Sequence, residues 1–203
     1  MLLHIHISSS ELVCTRISHD LIGNIGAISS ALELIEENDN ILDDDTKAIL
    51  NTGANTLRAR QKFFRLAFGI DSKKCDMTEL LSVCEDYLTT IGNRNNPIKL
   101  NLSQVSSEIA KFVCLGIMCA AEVFIKSGEI SVAMNKNNMI IKAVSDYKFS
   151  ANKIAIYNDI INGEKPSENA SQYVQLIYLK ELLGADVPLS LQTTENEFLL
   201  IVG

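Results

Sequence analysis

The chain has 203 residues, 47% hydrophobic and 21% charged, enough to bury a sizeable core in one large domain or two small ones. A formal net charge of -7 argues against a general binder of nucleic acid or anionic membranes. No apolar run reaches the ~20 residues that a membrane-spanning helix needs, and Met1 to Ile7 lacks the basic and cleavage features of a signal peptide.

Met1 to Ile7 (M-L-L-H-I-H-I) reads as an extended lead-in, with His4 and His6 on one face but no further His to complete a metal site. Ser8 and Glu11 have capping-box spacing, and a first helix is predicted from about Ser9 to about Asn38. Leu21, Ile25, Ile28, Leu32 and Ile35, spaced 4, 3, 4, 3, form its apolar seam. The acidic, Asn-containing stretch 36–45 is turn chemistry, and Asp43 to Asp45 favour the positive end of a second helix, Asp44 to Phe68. Leu50, Ala54, Leu57, Gln61, Phe64 and Phe68 continue the 4, 3 spacing, and Gly69 closes the helix.

A short connection makes these two helices antiparallel neighbours. A hairpin this long does not bury its seam alone, so the economical arrangement is a homodimeric four-helix bundle. Residues 69–76 read as a linker, which gives two domains, 1–70 and 76–203.

Beyond the linker the pattern changes. A helix is predicted over Met77 to Ile91, a strand over Ile98 to Leu102 and an apolar helix over Ser106 to Lys126. A hairpin follows, with strands Glu129 to Met134 and Met139 to Ser145, then helices Asn152 to Asn162 and Ser167 to Leu183. A closing hairpin pairs 188–194 with 197–202. The fold class is therefore α+β: a helical hairpin, then a two-layer α/β sandwich of about five strands. The five cysteines form no C-x-x-C pair and fall mostly in apolar helical patterns, which suits buried free thiols in a reducing cytosol.

His19 is the residue these patterns single out. It lies two positions before Leu21, so it points roughly 200° away from the seam. Thr15, Gly23, Gly26 and Ser30 stack beside it and are all small, and Asp20 is its sequence neighbour. Two glycines within four helical residues cost about 1 kcal/mol each, which calls for a reason. If the turn is centred near residue 41, His19 lies level with roughly residue 63, near Arg58, Arg60, Lys62 and Arg65. Those four cations read either as an anion site beside His19 or as a solvated face near a helix C-terminus.

The stretch C-T-R-I-S-H-D-L-I-G-N-I-G-A-I-S-S-A-L-E-L-I resembles the phosphoacceptor box of two-component histidine kinases. It is closer still to ChpT-like histidine phosphotransferases. R-x-R-Q-K-F-F-R-L-A-F-G in the second helix and S-Q-Y-V-Q-L-I-Y-L-K-E-L-L-G-A-D-V-P-L-S-L near the end resemble the corresponding parts of that family. The resemblance implies a cytoplasmic homodimer built through a four-helix bundle, with a C-terminal domain like a degenerate kinase ATP-binding domain. It implies relay of a phosphoryl group from the receiver domain of a hybrid kinase to response-regulator receivers. His19 would be the phosphoacceptor and Asp20 its acidic partner, with Gly23, Asn24, Arg58, Lys62, Arg65 and Phe68 in receiver docking. Mg²⁺ would belong to the partner receiver, with no metal and no cofactor here. Gly23-Asn24 departs from the family's Asn-Pro, which puts phosphatase activity in question.

ATP use needs an Asn on the central helix for Mg²⁺, an Asp-x-Gly-x-Gly turn and a second Gly-rich turn. Ala120 falls near the Asn position, the candidate turn S-D-Y-K-F-S has no glycine, and no G-x-G-x-G occurs. ATP is therefore not expected. The competing readings are a non-catalytic dimeric adaptor for receivers and an ATP-dependent kinase remnant.

Overall fold

The computed structural model describes residues 8–69, 75–92, 95–103, 105–166 and 169–203; His4, His6 and most of the predicted linker lie outside them. The first two helices, α1 (Ser9–Glu37) and α2 (Asp44–Phe68), form the predicted antiparallel hairpin. Ser8 and Glu11 close the capping box at the start of α1, with the Ser8 N–H donating to Glu11 Oε2 at 2.7 Å. Asp39 and Asn40 take left-handed backbone in the turn, a conformation that short polar side chains tolerate. Asp43 then caps α2, its Oδ1 accepting from the Thr46 N–H at 2.7 Å.

The hairpin is pinched at Gly53. A Cβ there would lie 2.8 Å from Ile28 Cγ1, so the bare backbone lets the two helices close on each other. The inward line of α1 runs through Ile17, Leu21, Asn24, Ile28, Ala31 and Ile35, all buried or half-buried. This corrects part of the predicted seam: Ile25 and Leu32 are 54% and 51% exposed, and Ile22 is 67% exposed. Within one chain, a second apolar stripe on α1 is uncovered.

The C-terminal part contains α3 (Met77–Ile91), β1 (Ile98–Ser103), α4 (Ala110–Val123), β2 (Gly128–Asn135) and β3 (Asn138–Val144). It continues with α5 (Ala151–Asn162), α6 (Val174–Leu183), β4 (Leu189–Thr193) and β5 (Glu197–Val202). The sheet has the order β1-β2-β3-β5-β4; β1 and β2 run parallel and the other pairs antiparallel. Ile130, Val132, Ile141, Ala143, Phe198 and Leu200 alternate onto one face and are fully buried there, in one cluster with the helices. This is the expected α+β two-layer arrangement.

Two helices are shorter than expected. The apolar stretch 106–126 begins with a 3-10 turn, Ser107–Ile109, and its α-helix stops at Val123. Phe124 turns extended there and sets its ring edge-on to Phe149, 5.4 Å away between centroids. The Val123 carbonyl accepts from the Ser150 N–H at 3.1 Å, so tertiary bonding ends a helix that composition alone would continue. Similarly, a 3-10 turn at Ala170–Tyr173 precedes α6.

The foot of α2 is sunk into this layer. Phe63, Phe64, Leu66 and Ala67 join its buried cluster, and Phe63 stacks on Tyr87 of α3 at 3.7 Å between centroids, with the rings 8° from parallel. Among the described residues no helix is long and apolar enough to cross a membrane.

Candidate functional site

His19 stands on the outer face of α1, its side chain 80% exposed. Thr15, Gly23, Gly26 and Ser30 are exposed beside it, and a Cβ added at Gly23 or Gly26 would meet nothing within 4 Å. The surface around the imidazole is therefore bare helix. Nδ1 of the ring lies 3.4 Å from Oδ1 of Asp20, a long contact, and the Asp20 side chain is only 14% exposed.

Asp20 is anchored from below. Its Oδ2 accepts from Arg16 Nε at 2.8 Å, an i, i+4 pair on α1. The Arg16 guanidinium is buried and also donates from Nη1 to the Gln172 carbonyl at 3.1 Å and from Nη2 to Glu122 Oε1 at 2.5 Å. Oε2 of Glu122 in turn accepts from Lys153 Nζ at 2.7 Å. Behind the imidazole, alternating charge thus runs from Asp20 and Arg16 on α1 through Glu122 on α4 to Lys153 on α5. Burial alone pushes the Arg16 pKa down, but the carboxylates of Glu122 and Asp20 outweigh it and hold the guanidinium charged. Glu122 behaves in the complementary way: burial pushes its pKa up, and Arg16 and Lys153 bring it below the usual carboxylate value.

Arg60 is not part of a free anion site. Its guanidinium folds inward, donating to the Asp20 carbonyl and, at 3.2 and 3.3 Å, to the hydroxyl and carbonyl of Thr90 on α3. The helix register is close to the expected one centred near residue 41, since Gly53 packs level with Ile28.

Arg58, Lys62 and Arg65 are exposed and repeat at i, i+4, i+7, one stripe of α2 roughly 120° from its α1-facing side. No hydrogen bond or ion pair joins them to His19 among the described residues. Asn24 turns its amide back onto its own helix, with Nδ2 3.5 Å from the Asp20 carbonyl. Phe68 is half-buried against Phe64 and Tyr178, at 6.1 and 5.8 Å between ring centroids.

The spacing arguments reached His19 and Asp20 but missed Arg16, Glu122 and Lys153. Glu122 carried a signal, since it is the one carboxylate in α4, whose residues are otherwise almost all apolar, and a buried charge requires a partner. No group of three His, Cys, Asp or Glu among the described residues has metal-site geometry. Cys75, Cys84, Cys114 and Cys119 are buried free thiols and Cys14 is exposed; burial pushes the Cys114 and Cys119 thiols up, away from reactive thiolates.

Against known proteins, no family model matches the chain. A stretch of 58 residues is 45% identical to the protein phosphotransferase ChpT of Brucella abortus, covering 29% of this chain and 27% of that protein. A bacterial phosphotransferase solved at 1.7 Å superposes with a TM-score of 0.74 over the whole of both chains, at 21% identity. The chain is ChpT-like. The sequence match spans only about a quarter of the length of the Brucella protein, whereas the shared fold with the solved phosphotransferase extends from end to end. The histidine kinase AdeS of Acinetobacter baumannii is more distant, 13% identical with a TM-score of 0.46 over 91% of this chain and 95% of that one.

Proposed function

We propose that this ChpT-like chain is a cytoplasmic histidine phosphotransferase of a two-component system. It accepts a phosphoryl group on His19 from one receiver domain and passes it to another. The observation that carries this reading is the exposed imidazole on a bare strip of helix, with an anchored carboxylate behind its Nδ1.

With the ring proton on Nδ1, facing Asp20, the Nε2 lone pair is the free nucleophile. It attacks the phosphorus of a receiver's aspartyl phosphate. The bond from phosphorus to the acyl oxygen breaks, and its electron pair leaves on the receiver's carboxylate. The phosphorylated ring carries a positive charge while it keeps Nδ1–H, and the Asp20 carboxylate offsets it. Delivery is the same step in reverse, onto the next receiver's aspartate. Mg²⁺ for both transfers belongs to the receiver's acidic pocket.

The remaining surface supports docking of such a partner. Gly23 and its small neighbours leave room beside His19, and Arg58, Lys62 and Arg65 present positive charge to an acidic pocket, with Phe68 at the foot of the stripe, whereas Asn24 lies on the side of α1 that faces α2. The uncovered stripe of Ile22, Ile25 and Leu32 suits a second copy of the hairpin, giving a homodimeric four-helix bundle. The α/β layer acts as a scaffold without ATP: Ala120 is fully buried where an Mg²⁺-binding Asn would be needed, and no glycine lies in 145–150.

The test is transfer of labelled phosphate from a purified, phosphorylated receiver domain. Wild type is expected to acquire acid-labile phosphate and His19→Ala none. Label absent from wild type while the receiver still binds would replace this reading with that of an adaptor, and label retained by His19→Ala would remove His19 as the phosphoacceptor. Binding of an ATP analogue would instead favour a kinase remnant.

A further inference from the structure

The chain of charge behind His19 crosses from the hairpin into the α/β layer, and it has a direction. Asp20 uses Oδ2 for Arg16 and leaves Oδ1 for the imidazole, so the carboxylate is held by one oxygen and presented by the other. Arg16 is itself held at three points. One is the Asp20 carboxylate on its own helix. The other two, the Gln172 carbonyl and the Glu122 carboxylate, belong to the α/β layer. Glu122 is fixed further by Lys153, which donates to its carboxylate at 2.7 Å and to its main-chain carbonyl at 2.9 Å. A guanidinium gripped on both sides has little rotamer freedom left, and its planar fork transmits that order to Asp20. Arg60 adds a second tie, from α2 to the Asp20 carbonyl and to Thr90.

We infer that Arg16 is the positioning residue of the phosphoacceptor site and that Glu122, reaching in from α4, is the group that holds it in place. A domain with no ATP to bind would thus still act on the chemistry, by fixing how Asp20 addresses the ring. This rests on His19 being the phosphoacceptor. Neither Arg16 nor Glu122 touches the imidazole; they act through Asp20. Arg16 thereby selects the ring tautomer that leaves Nε2 unprotonated and facing the partner.

The tautomer of His19 tests this without any partner. In the full-length protein labelled with ¹⁵N-histidine, the two ring nitrogens are distinguished by long-range ¹⁵N–¹H correlation at mildly alkaline pH. Wild type is expected to show mainly the Nδ1–H form. Arg16→Met is expected to move the ring severalfold toward the Nε2–H form preferred by free imidazole, and Arg16→Lys to recover part of the shift. Glu122→Gln keeps the shape of the side chain and is expected to shift the ring in the same direction as Arg16→Met. It keeps the experiment decisive if Arg16→Met does not fold.

Transfer from a phosphorylated receiver domain is the second readout. The maximal rate is expected to fall about tenfold in Arg16→Met and Glu122→Gln, with the receiver concentration at half-maximal rate unchanged. A folded Arg16→Met or Glu122→Gln with the wild-type tautomer and wild-type transfer rate overturns the inference. A shifted tautomer in variants of a protein whose wild type transfers no phosphate upholds the positioning and removes the phosphotransferase reading instead.

Discussion

The contrast between α1 and α4 is the most instructive one in the molecule. α4 buries eleven of its fourteen residues within one chain, whereas α1 buries only Arg16 and Ala31 out of twenty-nine. α4 is the more apolar helix, with one carboxylate against five in α1, and what surrounds each helix widens the difference. α4 has the sheet on one side and α2, α3, α5 and α6 around the rest, and the core closes over it. α1 has α2 along its length, touches the α/β layer only near its N-terminal half, and leaves Ile22, Ile25, Leu32 and Leu34 at half exposure or more. A scaffold completed by one chain and a helix left open are physically separate demands, and this sequence meets them in separate places.

The comparison breaks most visibly where the two regions meet. Phe63 is a hairpin residue by sequence and a core residue by burial, stacked on Tyr87. Phe63→Ala is expected to cost about 3–5 kcal/mol in urea unfolding, the loss typical of a fully buried aromatic ring. Helicity of the hairpin and near-UV signals of the core should be lost together. Two separated transitions in wild type would show that the foot of α2 does not belong to the same cooperative unit.

The open stripe gives the next effect. Ile25→Asp combined with Leu32→Asp should leave the fold of a single chain intact, since neither side chain is buried in it. In the proposed dimer both become core. The doubly substituted protein is expected to be monomeric by light scattering, and its melting temperature should no longer rise with protein concentration as that of wild type does. A variant that remains dimeric places the second copy on another face.

The ends of the hairpin helices and the course of the chain were legible in the sequence because local chemistry sets them. Ser8 and Glu11, Asp43 and Gly69 sit at helix termini where caps are needed, and period-2 alternation marked β1. The outward aspect of His19 followed from helical geometry alone. What was not legible depends on contacts between distant segments. Arg16 and Glu122 are 106 positions apart, and nothing near either one says that the other is its partner. The inward turn of Arg60 is equally invisible, because it depends on Thr90 of α3 lying beside α2. The α1 seam was only partly legible: Leu21, Ile28 and Ile35 face inward, but Ile25 and Leu32 belong to the neighbouring stripe, and a 4, 3 repeat does not distinguish one helix–helix contact from two adjacent ones.

The smallest effect separates two glycines of the same hairpin. At Gly53 an added methyl meets Ile28 at 2.8 and 3.2 Å, so Gly53→Ala sets a gain in helix propensity of about 1 kcal/mol against crowding of about 1–3 kcal/mol. Net destabilisation in a thermal melt is expected. At Gly23 the same methyl meets nothing within 4 Å, so Gly23→Ala receives the propensity gain without the crowding and should melt higher. Its cost, if the strip beside His19 is kept bare for a visiting receiver, lies in transfer: the methyl occupies surface that the partner would cover. Gly23→Ala is therefore expected to raise stability and slow phosphate transfer together, a combination that loss of fold does not produce. A more stable variant that transfers as fast as wild type would mean that Gly23 is not part of the surface the receiver uses.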